Sequence, residues 1–199
     1  MAADIATQTS GLWERYLMAM DAVTDRLNRI TSVLTKMGVP YALVGGQAVA
    51  LWVTTKDPAA VRTTKDVDIL LNRADQPKAK SAALSVGMDY VEVVDVGMFL
   101  ERTDPNPRHG VHIVWAGEKV KAESLSPSPT IAERQELEPG KFVVTLAGLV
   151  RMKLTANRDQ DRVHLRDMID VGLIDRTILQ GLPAELAARL AALLTESGR

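Results

Sequence analysis

The sequence predicts an α+β fold: a mixed β-sheet of about five strands, helices packed on it, and a C-terminal helical part. Three observations carry this. Short runs rich in Val, Ile and Leu at 41–44, 67–71 and 111–115 read as buried strands. Segments with apolar residues three and four apart precede and separate them, as amphipathic helices require. From about residue 145 onward the pattern is helical only, so helices gather at one end of the sheet.

The elements follow in order. Trp13, Tyr16, Leu17, Met20, Val23, Leu27, Ile30, Leu34 and Met37 form one stripe of a helix over 12–37, which reads as core or a helix interface and is stopped by Gly38 and Pro40. Tyr41–Val44 is a short buried strand, Gly45-Gly46 a tight turn, and Gln47 to Val53 a helix start. The polar stretch 54–64, with Pro58, reads as a loop. Val67–Leu71 is a second strand and 75–86 a helix. Tyr90–Val94 and Met98–Arg102 are strands broken by Asp95-Val96-Gly97, and 103–110 is a loop. Val111–Trp115 is another strand. The stretch 124–140, holding Pro127, Pro129, Pro139 and Gly140, reads as an extended connector. Phe142–Val144 reads as a last edge strand, and helices follow at about 146–156, 160–172 and 183–196.

Composition bounds the function. The chain has 199 residues, enough for one domain over 1–199 with a core at about 38–120 and a helical part at about 145–199. A net charge of −1 gives no global field that attracts nucleic acid, while leaving a local basic groove open. The absence of cysteine excludes disulfides and thiolate metal sites. The polar stretch Met1–Ser10 lacks the pattern of a signal peptide, and no apolar run approaches the roughly 20 residues that span a bilayer. A cytoplasmic protein without a membrane partner is the expectation. There is no G-x-x-x-x-G-K-[ST], no H-E-x-x-H and no nucleophile elbow. Trp52 and Trp115 read as core rather than as base-stacking residues.

The chemistry concentrates in two short motifs. Asp66 and Asp68 open the second strand, and residues i and i+2 of a strand share a face. Two carboxylates so placed converge on a hard cation, and Mg²⁺ (or Mn²⁺) takes one or two carboxylates together with substrate phosphates. Gly45-Gly46, between a strand and a helix, lets phosphate oxygens approach the backbone at a helix N-terminus. If both motifs serve one ligand, the two acids face a single cleft, with the glycine backbone within about 10 Å.

The combination of strand, Gly-Gly, helix and, about twenty residues on, a strand opening with Asp-x-Asp resembles the nucleotidyltransferase superfamily, the DNA polymerase beta-like fold. Leu43-Val-Gly-Gly-Gln-Ala48 and Arg62-Thr-Thr-Lys-Asp-Val-Asp-Ile69 look most like the AbiEii-type toxins of toxin–antitoxin systems. Lys153-Leu-Thr-Ala156, Arg158 and Asp161-Arg-Val-His164 are similar to a further segment of that family. The resemblance covers roughly residues 30–170. It implies a two-metal site that transfers a nucleoside monophosphate from an NTP to a hydroxyl of RNA, a tRNA end among them, or of a protein. Gly45, Gly46 and Lys65 would bind the nucleotide, Asp66 and Asp68 the metal, and Lys153 would lie near the phosphates. Asp161 would be an acid/base or orienting residue, and a cognate antitoxin or toxin would be a partner.

The chain departs from the pattern at two places. A third carboxylate is expected on the strand 111–115, and His112 occupies its position; Glu101 is an alternative source of that oxygen. His112 reads as a general base, as a ligand for a softer metal, as the mark of a site that binds nucleotide without turning it over, or as a strand histidine remote from any site. His164 stands where the family segment has Asp. His109, in a proline-containing loop, is expected to have no role. The rival function is a catalytically degraded nucleotide-binding or protein-interaction module.

Overall fold

The computed structural model describes residues 2–94 and 96–198, with side chains from residue 11 onward. Of the expected break at 95–97, Asp95 lies outside the described residues, as do the side chains of Met1–Ser10, whereas Val96 and Gly97 belong to a strand, paired with Val93 and Glu92. A long helix α1 (Ala2–Lys36) leads into β1 (Tyr41–Val44) and, without a connecting residue, α2 (Gly45–Thr54). Then come β2 (Val67–Leu71), α3 (Gln76–Ser85), β3 (Met88–Val93), β4 (Val96–Glu101) and β5 (Val111–Trp115). A hairpin of β6 (Arg134–Glu138) and β7 (Lys141–Val144) precedes the helices α4 (Leu146–Ala156), α5 (Asp159–Asp170) and α6 (Ala184–Glu196).

The strands form one mixed sheet of seven in the order β3-β4-β5-β2-β1-β7-β6. The α+β class expected from the sequence is therefore observed, with more strands than the expected five. β2 lies at the centre, antiparallel to β1 and parallel to β5, and in the second pairing Asp68 stands opposite His112. Central strands are covered on both faces and so are nearly continuously apolar. Asp68 and His112 are polar exceptions at one register position, so a polar site is cut into the middle of the sheet.

Two readings of 124–144 are corrected. Residues 134–138 belong to a strand, and β7 is an interior strand between β1 and β6. β6 carries Arg134, Glu136 and Glu138 with only Leu137 as a large apolar residue, because it is the outer edge and charge blunts such an edge. Pro139-Gly140 is the turn of this hairpin, with Gly140 at φ +74°.

Ile30 and Leu34 of α1, the inward residues of β1, β2 and β5, Leu149 and Leu154 of α4, Leu165 and Met168 of α5, and Leu186 and Leu190 of α6 share one hydrophobic core. The α1 stripe divides. Val23, Ile30 and Leu34 enter the core, whereas Trp13, Tyr16 and Leu17 are exposed, with Trp13 and Tyr16 stacked at 5.6 Å. α4 is capped by Thr145, which accepts from the Gly148 N–H, and ends at Asn157 in the left-handed region. One residue later Asp161 accepts from the Arg158 N–H at 3.2 Å and starts α5. This tight corner brings the basic end of α4 beside the acidic start of α5. Among the described residues no helix is long and apolar enough to cross a membrane.

Candidate nucleotide site

Gly45 ends β1 and starts α2 at φ +65°, a region that costs any L side chain energy. A Cβ there would overlap Asp68 Oδ2 outright and lie 2.9 Å from Asp68 Cγ. At Gly46 a Cβ would come within 2.6 Å of Thr64 Oγ1. The glycine pair is thus dictated by close approach of the backbone to the segment that enters β2. No side chain caps the N-terminus of α2, so its first N–H groups remain available to an anion. Gln47 Nε2 reaches the carbonyls of Thr64 and Asp66, both at 3.4 Å, and ties the same segment to the helix.

These parts border a cleft of about 760 Å³ whose walls include Gly45, Gly46, Lys65, Asp66 and Asp68. The two aspartates and the glycine corner therefore face one space. Asp66 is exposed, whereas Asp68 lies deeper. Burial, and after it the neighbouring Asp66 charge, push the Asp68 carboxyl above the ordinary range, against the opposing pull of His112, Lys153 and Arg158. Such a carboxylate is short of compensating positive charge.

His112 presents Nδ1 to Asp68 Oδ1 at 3.7 Å and bonds Pro107 O through Nε2 at 3.1 Å. A carbonyl only accepts, so Nε2 carries a proton. The histidine is thus at the site and not remote from it. Glu101 is turned away from the cleft, toward α1, where it pairs with Arg26 at 3.4 Å and also with Arg29.

Lys153 lines the cleft, and its ammonium meets Asp161 Oδ1 at 2.9 Å; Arg158 Nε meets Asp161 Oδ2 at 2.8 Å. Asp161 is 1 % exposed and lies behind the wall. Burial pushes its carboxyl up, but the Arg158 hydrogen bond and the Lys153 charge and hydrogen bond outweigh this and hold it below the ordinary range. With both oxygens engaged, Asp161 orients Lys153 and Arg158 and does not present a proton-transfer group to the cleft. Arg62 pairs with Asp167 at 2.6 Å, linking the loop before β2 to α5.

Of the other two histidines, His164 shares a helix face with Asp161 and follows Lys153, as its spacing allows, whereas His109 was expected to have no role. His164 lines the cleft at 7 % exposure, with a buried Nδ1 that lacks a hydrogen-bond partner. Burial, and secondly the Lys153 charge, lower its pKa, which favours the neutral ring. His109 also lines the cleft, with Arg108 beside it. All three histidines of the chain therefore meet in one cleft. Their positions, 109, 112 and 164, have no common spacing, and only the tertiary fold brings them together. Trp52 donates to Val144 O at 3.1 Å and Trp115 packs under the Arg73 guanidinium, 4.4 Å from its ring centre, both as packing residues.

Among the described residues no three His, Asp or Glu side chains are grouped to hold a metal by themselves. Two carboxylates with an uncompensated charge and an open helix N-terminus nevertheless suit a cation that arrives with a polyphosphate.

No protein-family profile matches the chain, and no curated protein does. Solved structures do match. The solution structure of the antibiotic-resistance factor ANT(2'')-Ia has a TM-score of 0.49 at 13 % identity, over 88 % of this chain and 94 % of that one. ANT(2'')-Ia in complex with adenylyl-2''-tobramycin gives 0.44 at 14 %, over 85 % and 95 %. An antigenic nucleotidyltransferase-like protein from Paracoccidioides brasiliensis gives 0.56 at 18 % identity, over 87 % of this chain and 89 % of that one. On the likeness to the last of these, the chain shares the α+β fold of that nucleotidyltransferase-like protein.

Proposed function

We propose that the protein is a divalent-cation-dependent nucleotidyltransferase that moves a nucleoside monophosphate from an NTP to a hydroxyl of RNA or protein. The observation that carries this reading is the packing of Gly45 directly against Asp68, which sets an anion-binding helix terminus beside two carboxylates in one cleft. The α2 N-terminus and Lys65 would hold the phosphates. Asp66 and Asp68 would hold Mg²⁺ or Mn²⁺, which when bound neutralises the polyphosphate and supplies electrophilic activation at the α-phosphorus. Asp161 keeps Lys153 and Arg158 pointed at the phosphate side. His112 stands beside the Asp68 carboxylate on the neighbouring strand, with Nδ1 3.7 Å from Oδ1. A link to toxin–antitoxin pairs remains part of this proposal on the motif likeness of 43–48 and 62–69 alone.

The test is label transfer. Purified protein is incubated with each NTP labelled at the α-phosphate, with Mg²⁺ or Mn²⁺, and with total RNA or cell lysate. Transfer by the wild type that disappears in Asp66→Asn with Asp68→Asn supports the reading. A second reading, a module that binds nucleotide without turnover, is favoured by the presence of His112 in place of an acid. Binding without transfer in any combination would establish it.

A further inference from the structure

An acceptor hydroxyl must give up a proton as it attacks, and the groups nearest the glycine corner are not free to take it. His112 commits Nε2 to Pro107 O and turns Nδ1 to Asp68. Asp66 and Asp68 belong to the phosphate and cation side, and Asp161 is buried with both oxygens bonded. His109 is different. The β4–β5 loop is folded to hold it: the Asp104 N–H donates to Glu101 O at 3.1 Å, the Arg108 N–H to Asn106 Oδ1 at 3.1 Å, and the His109 N–H to Asn106 O at 2.9 Å. The resulting short turn, Pro107–His109, brings His109 Nδ1 to 2.6 Å from Asp104 Oδ2 on the cleft wall. A carboxylate on Nδ1 fixes the proton there and leaves the Nε2 lone pair for another partner. The hydrogen bond from His109 holds the Asp104 carboxyl below the ordinary carboxylate range, so it is anionic and able to stabilise an imidazolium. An exposed pair of this kind adds little to stability, so the fold alone is a weak reason for it.

We propose that Asp104 and His109 form a carboxylate–imidazole dyad that acts as the general base for the acceptor hydroxyl; this rests on the transferase reading above. In the step, the acceptor O–H proton passes to His109 Nε2 while the oxygen forms a bond to the α-phosphorus. The bond from the α-phosphorus to the bridging oxygen breaks, and pyrophosphate leaves with that electron pair. The imidazolium, paired with Asp104, then returns its proton to water.

The experiment uses the full chain in the same label-transfer assay, with binding of a non-transferable NTP analogue as control. His109→Ala is expected to lower kcat by about 100-fold or more, the ordinary contribution of a general base, with unchanged KM for NTP and unchanged analogue binding. Because His109 stands on an open wall, added imidazole should restore part of the rate, which loss of a merely structural side chain would not allow. Asp104 is a positioning residue. Asp104→Asn should lower kcat less, without a change in KM, and Asp104→Glu should recover part of the loss. A wild type that transfers label together with a His109→Ala variant of equal rate, or one that imidazole does not restore, overturns the dyad and leaves the transferase intact. A wild type that transfers nothing overturns both.

Discussion

Gly45 is the residue on which the site turns, because it satisfies two demands that no other amino acid meets together: a left-handed backbone and no atom between α2 and the Asp68 carboxylate. Gly45→Ala is expected to cost about 1–2 kcal/mol from the backbone alone, read by urea unfolding. Because Asp68 must also move, nucleotide-analogue affinity should fall by at least about tenfold, or about 1.4 kcal/mol. His164 gives a pH-dependent prediction. Its folded pKa lies below the unfolded value near 6.5 through burial and then Lys153. As pH drops below about 6.5 the unfolded chain takes up a proton that the folded chain resists, so stability is lost on acidification. His164→Gln should flatten the fall in unfolding free energy between about pH 7 and 5, and an unchanged slope would show that His164 does not carry it. Gly45, Gly46, Asp66 and Asp68 were legible in the sequence because strand and turn geometry fix them over a few residues. His109 was not, because its carboxylate partner comes through a turn and its cleft through the sheet. Asp161 stood out in the sequence, but its burial between Lys153 and Arg158 is a tertiary fact.

Among the elements, α1 shows how periodicity alone predicts a helix but not its partner. One stripe runs from Trp13 to Met37, yet only its C-terminal half is buried. Trp13→Ala, Tyr16→Ala and Leu17→Ala should each change the unfolding free energy by no more than about 0.5 kcal/mol, as exposed positions do. Ile30→Ala or Leu34→Ala should each cost about 2–5 kcal/mol. Equal losses in both halves would mean that the first half is covered in solution. β2, β5 and α4 were legible to their ends because buried strands and a capped helix carry dense local signals. β6 was not, since an edge strand of alternating charge around one leucine has no apolar run to announce it, and the prolines before and after it suggested a connector.

At the scale of the molecule, the sheet order makes the cleft. Placing β2 between β1 and β5 puts the glycine corner, the acid pair and His112 side by side although Gly45 and His112 are far apart in the chain. The α4–α5 corner then closes the far wall with Lys153, Arg158 and His164. The class of the fold followed from the order of strands and helices, but the convergence of these segments required the sheet order, which no local pattern contains. The most direct measurement of the central claim is calorimetric titration of a non-transferable NTP analogue, with and without Mn²⁺, into wild type and into Asp66→Asn with Asp68→Asn. Binding that requires the cation and weakens by at least about tenfold in the double variant, about 1.4 kcal/mol, is the predicted result. Binding that is absent, or equally tight without cation and without the two carboxylates, would contradict it.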